Sequence, residues 1–123
     1  NALMMCSVNA ASLQKEAIEH NQTMEGLIKS SMSFFEEVTL PLCNPDLIIA
    51  HSNGLSSPSA ASLLLKHFGN KDTLKYSHPN GYYTTFGFIG KFKAQTVPVI
   101  CIRHMSRFKP QYEYIKAAIS MMQ

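Results

Sequence analysis

The segment Arg103-His104-Met105-Ser106-Arg107 brings together side chains that could bind an anion and act on it. Arginine suits phosphate because its guanidinium donates hydrogen bonds in a planar fork, and a serine hydroxyl can reach a further phosphate oxygen. A histidine beside two cations could donate to a developing anion, and its neighbours could tune its pKa. The segment therefore indicates an anion site in which His104 is the acting group. The alternative is that the arginines pair with acids and His104 only ends a strand.

A second polar segment contains a glycine-bearing turn, His51-Ser52-Asn53-Gly54, and precedes a predicted helix. Ser57 is a typical N-cap, and Pro58 is a typical first helical residue. A strand, a turn and a helix N-terminus in this order can present backbone N–H groups to an anion. The candidate anion contacts in this turn are Ser52, Asn53 and Gly54.

Other reactive patterns in the chain are weaker. Cys101 and His104 have a spacing that zinc sites use, but a second pair of ligands is missing from the sequence. A Cys–His nucleophile pair is disfavoured, because residues three apart on a strand point to opposite faces. Several aromatic residues could stack on bases, although their spacing is more typical of strand packing. They are Tyr82, Tyr83, Phe86, Phe88 and Phe92. We expect no metal and no cofactor.

These segments must be positioned by strands and helices that alternate along the chain. Apolar runs predict strands at 3–8, 45–50 and 96–102. Spaced apolar residues predict helices over 12–38, where Pro41 closes the segment, over 58–68, and from Pro110 onward with Tyr112, Ile115, Ile119 and Met122 on one face. Residues 70–80 are predicted to be a polar loop, and residues 82–92 are β-rich.

This alternation predicts an α/β fold with three αβα layers around a short, largely parallel sheet. Segments 3–8, 47–50 and 97–102 are expected to be neighbouring strands, connected by right-handed crossovers. Sites in such sheets gather at the carboxyl ends of the strands. We therefore expect segments 51–54 and 104–107 to lie close together, with His104 at least partly exposed.

The composition fits one domain over residues 1–123. Apolar residues make up 46% of the chain and charged residues 15%, which is sufficient for one core. The sequence contains no apolar run of the roughly 20 residues that would cross a membrane. The three cysteines, Cys6, Cys43 and Cys101, are odd in number and far apart, which favours a reduced, intracellular setting: the cytoplasm, the nucleoid or the nucleus.

The charge is unevenly distributed along the chain. Residues 1–65 have a net charge of −4, with two lysines against six acids, and residues 66–123 have a net charge of +7, with nine cations against two acids. A basic half beside an acidic half indicates a basic face and a polyanionic partner. The alternative is that these lysines are scattered solvating charges.

The motifs, taken in order, resemble the second half of the uracil-DNA glycosylase superfamily. Residues 1–6 resemble the strand that carries a base-reading Asn in that family, and residues 45–54 resemble the next strand and its turn. His104-Met105-Ser106-Arg107 resembles the His-Pro-Ser loop, with Met105 where the family often has proline. The resemblance implies DNA binding and hydrolysis of an N-glycosidic bond, with the nucleotide extruded from the helix.

The resemblance also assigns roles to individual residues. His104 would hydrogen-bond the base oxygen where negative charge develops, and Asn1 would read the base edge. Phosphates would be held by Ser52, Asn53, Gly54, Ser106 and Arg107. The family's upstream loop, which activates water, is not found in the sequence. We therefore expect a fragment of a larger domain that is inactive alone, with a missing N-terminal segment as a partner.

Two alternatives stay open at this point. Asn1 could be a native residue or a remnant of an expression tag. The chain could also be a catalytically silent α/β module that binds a nucleotide, a nucleic acid or a protein.

Overall fold

The structure is a computed structural model that describes residues 23–55, 59–79, 84–93, 95–103, 109 and 111–123. The chain divides into two compact units, Asn1–Asn44 and Pro45–Gln123. The predicted strand at 3–8 lies outside the described residues, as do the first eleven residues of the helix predicted over 12–38.

The described part of the first unit is a helix that contains a wide turn. Helix α1 spans Met24–Phe34, and Thr23, in extended conformation, caps it by accepting a hydrogen bond from the Gly26 N–H at 2.9 Å. A π-helical turn over Phe35–Thr39 leads into the short helix α2 at Leu40–Cys43. The helical segment ends at Asn44, whose φ is +43°.

The prediction that Pro41 closes this segment is therefore wrong. Proline normally breaks a helix because it lacks an N–H and its ring clashes with a carbonyl of the preceding turn. Here the Leu40 N–H donates to the Phe35 carbonyl, five residues back, which widens the turn just before Pro41. The single helix predicted over 12–38 is also wrong at Thr23, because an extended residue interrupts it.

The second unit is built on a four-stranded sheet. Its strands are β1 (Ile48–Ala50), β2 (Lys75–His78), β3 (Thr85–Lys91) and β4 (Thr96–Cys101), in the order β1-β4-β3-β2. β1 pairs with β4 in parallel, which confirms the prediction that segments 47–50 and 97–102 are neighbours. The two other described pairs, β3 with β4 and β2 with β3, are antiparallel.

The described strands thus form a mixed sheet and do not confirm a largely parallel one. Residues 92–95 are too few for a crossover, so β3 and β4 form a hairpin, closed by a 2.9 Å bond from the Phe92 N–H to the Gln95 carbonyl. The polar segment predicted as a loop at 70–80 contains β2, because an edge strand can be formed by polar residues. Ile49 is 46% exposed, so one face of β1 is open to solvent although the strand is apolar.

Two helices pack on opposite faces of β3. Helix α3 spans Ala60–Phe68, and helix α4 spans Tyr112–Met121. A Cβ added to Gly69, directly after α3, would lie 2.6 Å from the Phe88 ring. A Cβ added to Gly87 would lie 3.3 Å from the sulfur of Met122, directly after α4. Because Gly87 and Phe88 are consecutive in β3, they face opposite sides of the sheet.

Apolar side chains fill the space on both faces. On the α4 side, Ile100, Ile102 and Ala118 form a buried cluster, with four partly buried residues packed against it: Leu47, Ile115, Ile119 and Met122. Tyr112, which the spacing predicts on the same face of the helix, is the first residue of α4 and is 74% exposed. Phe86, Phe88 and Phe92 are buried, which confirms the packing interpretation of these aromatics; Tyr82 and Tyr83 lie outside the described residues. Among the described residues, no helix has the length and apolar character needed to cross a membrane.

Candidate functional site at the carboxyl edge of the sheet

The parallel pair β1–β4 brings two polar segments to one edge of the sheet. Ala50 and Cys101, the last residues of the two strands, are paired, and the Ile102 N–H donates to the Ala50 carbonyl at 2.8 Å. The chain therefore continues into His51 from one strand and into Arg103 from the next. The carboxyl ends of neighbouring parallel strands are where α/β sheets place their sites.

The turn that follows β1 is tied to the start of α3. The Ser52 carbonyl accepts a 3.0 Å hydrogen bond from the Ala61 N–H, and the Gly54 carbonyl accepts a 2.7 Å bond from the Ser59 hydroxyl. His51 and Gly54 are exposed, whereas Ser52 is half-buried. These bonds fix the backbone path of the turn. Both are accepted by its carbonyl groups, so they do not involve the side chains of residues 51–54.

The N-terminus of α3 is capped from within the chain. Ser59 is the N-cap: its hydroxyl accepts from the Ser62 N–H at 3.1 Å, and its own N–H donates to the Ser62 hydroxyl at 2.8 Å. The Ala61 and Leu63 N–H groups donate to the Ser52 and Ser59 carbonyls. The Leu63 bond is the first regular bond of the helix, so the prediction that this terminus presents its N–H groups to an anion is wrong for Ser59, Ala61 and Ser62.

The predicted N-cap Ser57 and first helical residue Pro58 are corrected by the same geometry. Both lie outside the described residues, but the capping box belongs to Ser59 and the helix begins at Ala60. Ser59 has the spacing that a capping box requires. Three positions after the N-cap, a capping box needs a residue whose side chain can accept from the N–H of the cap, and Ser62 is that residue.

Asn53 has a structural partner that the sequence did not reveal. Its side-chain Nδ2 donates a 2.7 Å hydrogen bond to the Thr84 carbonyl, 31 residues away and directly before β3. Because β4 lies between β1 and β3, this bond reaches across the carboxyl end of β4. Asn53 thus links the turn to the third strand, and one amide donor of its predicted phosphate contact is already used.

The structure does not describe the remaining predicted site residues. His104, Ser106, Arg107 and Asn1 lie outside the described residues, so their roles stay predictions. Arg103, the residue before His104, is half-buried at the end of β4. The chain path thus begins the predicted His104 segment beside the 51–54 turn.

The same edge contains a ring pair that sequence reasoning missed. His78, at the end of β2, is paired with Thr85, and its ring stacks on Tyr114 with centroids 4.2 Å apart and planes 13° apart. The Ser77 hydroxyl donates to the Tyr114 carbonyl at 2.7 Å. These contacts join residues 36 and 37 positions apart, separations at which local sequence patterns carry no signal.

Burial makes the Cys101 thiol chemically unavailable. Cys101 is fully buried, and this burial raises the pKa of its thiol from 9.0 to about 12. A thiol that stays protonated is a poor nucleophile and a poor metal ligand. Within the described ranges, no group of three or more His, Cys, Asp and Glu side chains could hold a metal ion.

Comparison of the chain with protein-family models, with curated proteins and with solved structures gives no match.

Proposed function

We propose that the chain is the DNA-binding and base-recognising part of a uracil-DNA glycosylase-like domain, which in the complete parent protein excises a base by hydrolysing its N-glycosidic bond. The observation that carries this proposal is the parallel pairing of β1 with β4. Because of this pairing, the 51–54 turn and the segment that leads to His104 begin at the ends of adjacent strands, at one edge of the sheet.

The proposed chemistry needs an anion stabiliser at this edge. As the bond to the sugar breaks, the base leaves with negative charge and the sugar becomes oxocarbenium-like. His104 donates a hydrogen bond to the base oxygen, where that charge develops, and Asn1 reads the base edge. Ser106 and Arg107 bind phosphates, and Ser52 adds its hydroxyl. This assignment relies on side chains, since three N–H groups at the α3 terminus already have partners.

The proposal includes a three-layer αβα arrangement for the complete domain. The packing of α3 and α4 on opposite faces of β3 supports it.

A second candidate is a silent α/β module that binds nucleic acid without turnover. The parallel pairing of β1 with β4 is compatible with it as well, because the pairing positions polar segments at one edge without specifying turnover. The closed hydrogen bonding around the α3 N-terminus means that side chains must bind the phosphates in either candidate. The two candidates differ in excision, not in binding.

The test uses the full-length parent protein and a duplex with a single uracil. We expect affinity to fall steeply between low and high salt, because phosphate contacts release counterions. We expect His104→Ala to lower the excision rate on the order of ten- to a thousand-fold with little change in affinity. His67→Ala, on the exposed surface of α3, is the matched control and is expected to leave the rate unchanged.

Three outcomes would contradict parts of the proposal. Affinity that is absent at low salt, or that does not change with salt, excludes nucleic-acid binding. Salt-dependent binding without excision favours the silent module. Excision that is unchanged in His104→Ala removes the role of that residue.

A further inference from the structure

The second unit has a basic edge on the side opposite the candidate site. At the end of the sheet where β3 and β4 form their hairpin, the Phe68 ring of α3 packs on the Phe92 ring with centroids 4.6 Å apart. Four exposed lysines lie within three residues of this contact. We name them the hairpin-edge lysines: Lys66, Lys71, Lys91 and Lys93.

These lysines come from three separate segments that the fold brings together. Lys66 is in the last turn of α3, and Lys71 begins a 3₁₀ turn over Lys71–Thr73 that follows it closely. Lys91 ends β3, and Lys93 is in the hairpin connection. Two described carboxylates, Asp46 and Asp72, lie on the same side. Asp72 adjoins Lys71, and Asp46 follows Pro45, whose carbonyl accepts a hydrogen bond from the side chain of Gln95. The edge is therefore positive overall.

We propose that the hairpin-edge lysines form a second contact surface for the phosphate backbone of duplex DNA, remote from the base-recognition edge. The inference rests on the proposed function and specifies where its partner is held. Lysine ammonium groups on flexible stems suit phosphates as point charges, without reading sequence. Four of the nine cations in the basic half of the chain thus lie away from the carboxyl edge.

The dimensions of the sheet fit a duplex that contacts both edges. β3 has seven residues, so its two ends are about 20 Å apart. A duplex rises about 3.4 Å per base pair, so the two edges correspond to about six base pairs. A duplex of about 24 base pairs is therefore long enough to test both contacts together.

The test compares two double variants that each remove two positive charges. Lys71→Gln with Lys91→Gln alters the hairpin edge, whereas Lys29→Gln with Lys116→Gln removes exposed lysines from α1 and α4. Lys66 is left unchanged because a lysine in the last turn also stabilises its helix. Lys93 is left unchanged because it already has an interaction of its own.

We expect the hairpin-edge variant to bind the duplex on the order of ten- to a hundred-fold more weakly at 0.1 M salt, and its salt slope to fall by about two. The control variant is expected to stay within about twofold of the wild type. Lys71→Arg with Lys91→Arg keeps both charges and is expected to keep the affinity. Circular dichroism melts establish that each variant is folded.

The outcomes separate this proposal from the proposed function. If both double variants lose affinity equally, or neither does, the hairpin-edge contact is excluded. If Arg107→Gln alone weakens binding, the carboxyl-edge site stands and the hairpin-edge proposal fails. If only the hairpin-edge variant weakens binding, the carboxyl-edge site fails instead. Binding to phosphatidylserine vesicles without binding to the duplex overturns the assignment of DNA as the partner.

Discussion

At the scale of single residues, Cys101 illustrates how packing decides whether a group is chemically available. Its thiol is fully buried in the sheet beside Ala50 and Phe86, and the exposed Cys43 has the same functional group at the surface. Burial disfavours the thiolate, so the proton is held far more tightly than in water. Cys101 is therefore a core residue whose titration reports on folding.

We expect the thiol of Cys101 to make stability depend on pH above 9. Its pKa is about 12 in the folded protein against 9.0 for an ordinary thiol, so the unfolded chain loses the proton first as pH rises. The stability that this group contributes is complete below pH 9 and is lost progressively toward pH 12. The loss amounts to about 2 kcal/mol at pH 10.5.

Urea unfolding at pH 8 and pH 10.5 measures this effect. Cys101→Ala is the control, because it removes the thiol while other titrating groups remain. A loss of stability between the two pH values that is the same in the variant and the wild type would contradict the assignment.

At the candidate site, the sequence predicted which strands are neighbours but not which partners individual side chains have. The sequence correctly indicated that segments 47–50 and 97–102 are neighbouring parallel strands, because apolar runs separated by helices imply such a pairing. It could not indicate that Asn53 bonds to the Thr84 carbonyl, since that bond depends on how the strands are ordered across the sheet. An amide suited to phosphate is equally suited to a carbonyl, and only the fold decides between them.

At the scale of secondary-structure elements, the start of α3 shows how a short polar segment fixes a helix. Ser59 bonds to Ser62 in both directions and also to the Gly54 carbonyl, so one side chain caps the helix and holds the preceding turn. This double use ties the turn that follows β1 to the start of the helix.

We expect Ser59→Ala to destabilise the second unit by about 1 kcal/mol, because the cap bonds are lost while the helix sequence is unchanged. Ser59→Thr retains a hydroxyl and is expected to lose much less. Chemical denaturation of both variants measures the difference. A larger loss in Ser57→Ala than in Ser59→Ala would show that the cap is elsewhere.

The elements that the sequence predicted well are those with long apolar runs. β4 and α3 were predicted close to their observed bounds, because buried residues dominate both. β2 was missed since two of its four residues are exposed and its sequence, Lys-Tyr-Ser-His, carries no apolar alternation. The predicted end of the helix at Pro41 was wrong, because the π-helical turn before this proline leaves no recognisable pattern in the sequence.

At the scale of the whole molecule, the fold shows where part of the positive charge of the sequence lies. Four of the lysines in the basic half lie at the hairpin edge, whereas the 51–54 turn and the segment that leads to His104 follow strands that end at the opposite edge. A split of charge along the chain could therefore indicate a polyanionic partner, but not where that partner is held. That position depends on the antiparallel direction of β3, which places its last residue, Lys91, away from the carboxyl edge.

The parallel pair β1–β4 also has a consequence for the order in which the chain folds. Val97 pairs with Gly90 across a short hairpin, whereas Ile48 pairs with Val99 across a loop of about fifty residues. Closing the longer loop costs more entropy, so we expect the hairpin to be formed in the folding transition state and β1 to dock afterwards. Kinetic φ-values are then expected above about 0.5 for Val97→Ala and near zero for Ala50→Gly.

The reverse order, a high value at Ala50 and a low value at Val97, would contradict this expectation. If it holds, the edge that joins the two polar segments is the last part of the sheet to assemble and the first to open. Amide hydrogens around β1 are then expected to exchange with solvent faster than those of the hairpin, so that a partner bound across this edge would slow exchange there more than anywhere else in the sheet.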